Sequence, residues 1–226
     1  MNFQDLVHIE RADTYIDTAF KQGKKAADLE RTKANHDRLS KSRDIETARI
    51  KGMHSALMKP MQHILLSYPS IDSLPPLYNE LVKLRLDYVL LKKSLGAVNW
   101  AKMQLERLFQ QYQNKMSKCR NGSALNEYRK EYIGRATSVI KQIKKELEYL
   151  EESRMTMKRF PAIKTEIPTV CIFGFPNVGK TTLLTKLTDA KAEIGSYAFT
   201  TKEINTGYYK EKFEKIQVID TPGTLN

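Results

Sequence analysis

The sequence predicts a chain of two parts, α followed by α/β: an N-terminal antiparallel helical bundle, then the first part of a P-loop α/β domain. Three observations carry this reading. Between about residues 12 and 159, apolar residues recur at helical spacing with few strand signals. The run Thr169-Val170-Cys171-Ile172-Phe173 is short, apolar and β-branched, as a buried parallel strand should be. The eight residues that follow, Gly174 to Thr181, match G-x-x-x-x-G-K-[ST] and lead into residues 182–188, which have helical spacing. The expected division is a basic helical bundle over 1–160, a linker over 161–167 with Pro161 and Pro168 limiting helix at its two ends, and an incomplete P-loop domain over 168–226.

The helices follow in order. A short first helix is expected from about Asp13 to Lys21, stopped by Gly23 as a C′ glycine. A long helix over about 26–51 is rich in alternating charge, with few large apolar residues. Gly52 is expected to break it before a segment reaching Ser67, kinked at Pro60. Tyr68-Pro69-Ser70 is a turn, and Pro75-Pro76 opens the next helix. The following helix carries the stripe Leu91, Leu95, Val98, Lys102, Leu105, Phe109, Tyr112, Met116, in which Lys102 breaks the apolar pattern and snorkels. Asn121-Gly122 is a turn with Ser123 as N-cap. The last helix repeats the stripe at Ile133, Ala136, Ile140, Ile143, Leu147 and Leu150, so the two form a hairpin within a bundle.

Charge is spread unevenly. The chain has 38 Lys+Arg and 26 Asp+Glu, a net of +12. Residues 1–160 hold 30 basic and 19 acidic residues and residues 161–226 hold 8 and 7, so the excess belongs to the bundle. A field of that sign favours an anionic partner. The candidates for RNA contact are Lys92, Lys93, Arg107, Lys115, Lys118 and Arg120 on one helix, and Arg135, Lys141, Lys144 and Lys145 on the returning one. No RNA-recognition motif with stacking aromatics is visible, so contact to backbone and shape is expected. Two cysteines give no disulfide framework, and Cys171 is expected to be a small buried hydrophobe. His8, His36, His54 and His63 show no metal spacing and read as helix-surface residues. No signal peptide and no membrane span is read from the sequence.

The glycine-rich segment has a definite chemistry. Gly174, Phe175, Pro176, Asn177, Val178, Gly179, Lys180, Thr181 and Thr182 form a loop and helix start whose backbone N–H groups, present on every residue but Pro176, make a nest that can cradle a nucleotide's phosphates. Lys180 would reach the β- and γ-phosphates, and the Thr181 hydroxyl would ligate Mg²⁺. Asp220-Thr221-Pro222-Gly223 follows a strand-like run and puts Asp220 in the second Mg²⁺-holding position. Gly223 is then the hinge that senses the γ-phosphate. In Tyr197-Ala198-Phe199-Thr200-Thr201, Thr201 is the first choice for a switch ligand of Mg²⁺, with Thr200 the alternative.

G-F-P-N-V-G-K-T, Y-A-F-T-T and D-T-P-G resemble the Obg-related branch of translation-factor GTPases. This implies hydrolysis of GTP to GDP with Mg²⁺ as cofactor. Thr224 stands where Ras-like proteins carry a water-orienting Gln, so turnover without a partner should be slow. In some related GTPases the residue at the Asn177 position binds K⁺; a turn-forming Asn after Pro176 is the other reading. The guanine-reading N-K-x-D is not among the 226 residues, so the chain reads as a fragment ending after switch II. Earlier segments, among them Tyr68-Pro69, Pro76-Leu77-Tyr78, Ser138-Val139-Ile140-Lys141 and Leu147-Glu148-Tyr149-Leu150, look like the N-terminal domain of the nucleolar GTP-binding protein 1 family, an archaeal member by its compact length. The resemblance implies a monomeric switch in large ribosomal subunit assembly, partnered by ribosomal RNA and precursor particles. Its location would be cytoplasmic, or nucleolar in a eukaryote. The alternatives are an ATP-binding Obg relative and an RNA-binding scaffold with little turnover.

Overall fold

The structure is a computed structural model that describes residues 3–33, 37–188, 205–211 and 214–221. The chain divides into two compact units. The larger comprises residues 6–71 and 86–154, and the smaller residues 1–5, 72–85 and 155–226.

The larger unit holds α1 (Ala12–Arg31), α2 (Arg38–Ser67), α4 (Tyr88–Ser117), α5 (Gly122–Gln142) and most of α6 (Lys144–Met157). Asp37 starts α2 by accepting from the Leu39 and Ser40 amides, so the break expected at Gly23 lies instead between Arg31 and Asp37. Gly23 and Gly52 are inside α1 and α2 for a packing reason. A Cβ on Gly52 would stand 2.8 Å from Ala26 Cβ and 2.9 Å from the Gln22 carbonyl oxygen. One on Gly23 would stand 3.0 Å from the Arg49 carbonyl oxygen and closer still to the Met53 side chain. The glycines are where the two helices touch, not where they end. Pro60 also lies within α2.

In α4 the buried stripe is Leu91, Ser94, Val98, Ala101, Leu105, Tyr112 and Met116. The sequence-based stripe is therefore right at five of these positions. Small residues displace the larger neighbours elsewhere: Ala101 takes the place expected for Lys102, and Ser94 that of Leu95. The returning helix is divided at Ile143, the C-cap of α5, yet its buried positions Ala136, Ile140, Ile143, Leu147 and Leu150 continue across the division. Tyr132 is buried in place of Ile133, and Asn121 rather than Ser123 is the cap of α5. Glu46 of α2 is buried and accepts from Arg49 Nε at 3.0 Å and from Arg129 Nη1 of α5 at 3.1 Å. One cluster of α2 charges thus pairs inside the bundle.

His54 departs from the surface reading. Its side chain is 12% exposed, its ring stacks on Phe109 with centroids 4.2 Å apart, and Nε2 lies 3.1 Å from Glu106 Oε2. Burial pushes its pKa below the ordinary value of 6.5, outweighing the attraction of Glu106, which is exposed enough for water to screen it. Acidification below about pH 6.5 therefore protonates the unfolded chain before the folded one, and stability falls with pH in that window. His54→Phe, which keeps the ring stack, should flatten thermal stability between pH 7 and pH 5, measured by circular dichroism. An equally steep loss in wild type and variant would remove His54 as the cause.

In the smaller unit, the Phe3 ring meets Tyr78 of α3 (Pro76–Arg85) at 5.3 Å and Phe160 at 5.7 Å, both edge-on. Tyr78 Oη accepts from the Ile163 amide at 2.9 Å and lies 2.8 Å from the Pro161 carbonyl, to which it can donate. The next amide, Lys164 N–H, donates to Gln217 Oε1 at 3.0 Å. Gln217 belongs to β3 (Glu214–Asp220), the centre of a sheet that among the described residues has three strands, ordered β1-β3-β2. β1 (Thr169–Ile172) runs parallel to β3, and β2 (Asn205–Glu211) antiparallel to it. α7 (Lys180–Leu187) follows β1 and reaches β2 at Gly207, where a Cβ would stand 2.5 Å from Thr188 Cγ2. Cys171, expected to be buried, is exposed. β1 is hydrogen-bonded on one side only, and its side chains are largely uncovered among the described residues.

Candidate phosphate-binding site

The site lies at the carboxyl ends of two adjacent parallel strands, where α/β sheets bind ligands. β1 ends at Ile172, the chain turns through residues 173–179, and α7 begins at Lys180. Gly179, the N-cap of α7, has φ 90° and Asn177 has φ 61°. Both are left-handed, a region open to glycine and tolerated by Asn. Asn177 therefore has a backbone reason to be Asn. The loop lets Lys180 fold back over it: Nζ donates to the Phe175 carbonyl at 2.7 Å and to the Gly174 carbonyl at 3.1 Å. An ammonium and the first N–H groups of a helix converge on one small volume, which suits a phosphate group.

Asp220 closes the site from β3. The parallel register sets it beside Ile172, and Thr221 donates to the Ile172 carbonyl through both its amide and its hydroxyl. Thr181 Oγ1 donates to Asp220 Oδ2 at 2.6 Å, so the two residues read from separate motifs are brought together. Asn205 Nδ2 lies 3.4 Å from the same oxygen. Sequence reasoning missed Asn205. The signal lies in the antiparallel register: counting outward from the pair Glu211 and Glu214 sets Asn205 opposite Asp220.

Asp220 is 3% exposed, and its other oxygen, Oδ1, has no hydrogen-bond partner among the described residues. A buried, unpartnered carboxylate oxygen beside a hydroxyl suits Mg²⁺, which takes one or two protein oxygens and completes its shell with phosphate and water. Among the described residues no group of three or more His, Cys, Asp or Glu could hold a metal ion. Thr181 and Asp220 would hold the ion, which would neutralise phosphate charge there. Thr182 is exposed on the first turn of α7. Thr200, Thr201, Gly223 and Thr224 lie outside the described residues.

Of the basic residues singled out, several have partners on the bundle's own surface. Lys115 Nζ sits over the rings of Tyr112 and Tyr128 at 4.8 and 5.3 Å, and Arg135 over Tyr112 at 5.8 Å. Lys92 lies over Tyr88, and Lys144 is 3.9 Å from Asp13. Lys93, Arg107, Lys118, Arg120, Lys141 and Lys145 are exposed. No helix among the described residues is long and apolar enough to cross a membrane.

Fold and site together define a P-loop nucleotide-binding protein with a helical domain in front of it. Residues 3–164 match the family model described as the NOG1 N-terminal helical domain, and residues 169–226 match that of a 50S ribosome-binding GTPase. The chain belongs to the NOG1 family. It is 37% identical over 224 residues to an uncharacterized protein of Methanocaldococcus jannaschii, covering 99% of this chain and 62% of the relative. Nucleolar GTP-binding protein 1 of Encephalitozoon cuniculi is 36% identical over 163 residues, covering 72% of this chain and 31% of that protein. The Drosophila melanogaster protein of the same name is 28% identical over 225 residues, covering 100% and 34%. The chain thus spans 62% of the length of the first of these relatives and about a third of that of the other two.

Proposed function

We propose that the chain binds GTP with Mg²⁺, hydrolyses it slowly to GDP, and acts as a switch in large ribosomal subunit assembly. The single observation that supports this most is the junction of Lys180, Thr181 and Asp220, with one Asp220 oxygen buried and without a partner among the described residues. The names of the relatives and the ribosome-binding GTPase description point the same way for guanine and for the ribosome. The basic bundle would contact ribosomal RNA through its phosphates, and the nucleotide state would set that affinity. The protein would work in the cytoplasm, or in the nucleolus of a eukaryote.

Titration of the full-length protein with fluorescent GTP and ATP analogues in Mg²⁺ tests the reading. GTP should bind more tightly. Lys180→Ala should weaken it by about 10- to 100-fold, the worth of a hydrogen bond to a charged group. Equal affinity of wild type and variant would remove the phosphate assignment, and preference for ATP would move the protein to the adenine-binding alternative.

A further inference from the structure

We infer that the outward face of α4 is a stacking site for an unpaired RNA base, with Trp100 as its platform. The inference rests on the reading of the bundle as an RNA-contacting domain and goes beyond it, since that reading asks only for contacts to phosphates.

The inward positions of α4 repeat at alternating steps of three and four through Leu91, Ser94, Val98, Ala101 and Leu105. A second stripe with the same steps, Lys93, Gly96, Trp100, Met103 and Arg107, lies on the opposite side of the helix, because each member is half a turn from the core stripe. All five are exposed. Trp100 is 39% exposed and Met103 47%, and Trp100 is the only tryptophan of the chain. Single exposed apolar residues are ordinary. A tryptophan with a methionine beside it and a cation one heptad away in each direction, about 10 Å along the axis, is a patterned surface.

The charge on this face selects the partner. α4 carries one carboxylate, Glu106, and that group is bonded to His54 and Gln110. Lys93 and Arg107 form no ion pair within the described residues. No ring or cation among the described residues covers the indole. A Cβ on Gly96 would meet nothing within 4 Å, so the approach to Trp100 from that side is open. A docked protein helix would want a continuous row of aliphatic knobs, and the row here is interrupted by Gly96 and bounded by cations. A planar base needs only the indole face, and the phosphates on its two sides meet Lys93 and Arg107.

The lone tryptophan is its own reporter. The full chain is titrated at low salt with a mixed-sequence single-stranded RNA dodecamer, with the duplex of the same strand, and with polyglutamate. The single strand should quench the indole emission, and the duplex and polyglutamate should not. By anisotropy of labelled RNA, Trp100→Ala should bind the single strand about tenfold or more weakly, while Trp100→Phe stays within about threefold. Trp100→Leu should behave as the alanine variant does. Undiminished single-strand binding by Trp100→Ala overturns the stacking site but leaves the phosphate-contact reading in place. Wild-type binding by Trp100→Leu, or equal quenching by polyglutamate, overturns it in favour of a protein-docking face. Failure of both RNAs to bind overturns it together with the RNA part of the proposed function.

Discussion

Asp220→Asn should abolish the gain in GTP affinity that Mg²⁺ provides while leaving Mg²⁺-free binding at least as tight as in the wild type. The carboxylate is buried at 3% exposure, with Oδ2 accepting from Thr181 and Oδ1 without a partner among the described residues. Asn has the same shape and can still accept from Thr181, so the local fold should survive. What it lacks is the charge. Disturbing a residue one shell out from a metal costs about 10- to 100-fold in metal affinity, so loss of a charged ligand should cost at least the upper figure. Without the ion, the carboxylate faces a triphosphate of the same sign, and its removal relieves that repulsion. The two effects have opposite signs, which separates this variant from one that merely unfolds. Calorimetric titration with GTP, with and without Mg²⁺, reads both. A Mg²⁺ gain equal to that of wild type would remove Asp220 from the ion site.

The P-loop could be read from eight consecutive residues because its chemistry is local: the turn, the lysine and the helix start are neighbours in sequence. Asp220 could be read because a strand end is a definite place in an α/β sheet. Asn205 was not read, since its role depends on a hairpin register that joins residues 15 apart. The bundle shows the same contrast. The core stripes of α4 and α5 were visible because periodicity is a property of one helix. Which of two adjacent positions faces inward, Ala101 or Lys102, depends on the neighbouring helix and is not fixed by the periodicity of α4 alone. His54 reads as a surface residue because nothing local in the sequence shows Phe109 and Glu106 closing over it. The glycines were the sharpest failure. Gly23 and Gly52 have the composition of helix ends, and only the contact between α1 and α2 explains them otherwise.

That explanation can be tested because the bundle carries its own controls. Gly96 in α4 and Gly134 in α5 are also helical glycines, and a Cβ on either would meet nothing within 4 Å. Replacing either with Ala should stabilise the protein by about 0.5–1 kcal/mol, the helix-propensity difference between the two residues. Gly52→Ala gains the same propensity but forces a methyl to within 2.9 Å of the Gln22 carbonyl oxygen, a backbone atom that cannot swing aside. Overpacking of that kind costs about 1–3 kcal/mol, so the net should be destabilising or near zero. Gly52→Val adds two further methyls and loses most of the propensity gain, so it should be destabilising outright, by about 3 kcal/mol or more. In a chain of this size each kcal/mol moves the melting temperature by about 2–4 °C. Thermal denaturation followed at the helical circular dichroism signal should therefore rise by a few degrees for Gly96→Ala and Gly134→Ala and fall by about 6 °C or more for Gly52→Val. Gly23→Ala should fall less than Gly52→Val, because its closest obstacle is the flexible Met53 side chain. If Gly52→Ala stabilised as much as Gly134→Ala, the α1–α2 crossing would not be the close contact described, and Gly52 would return to being a weak point of a helix.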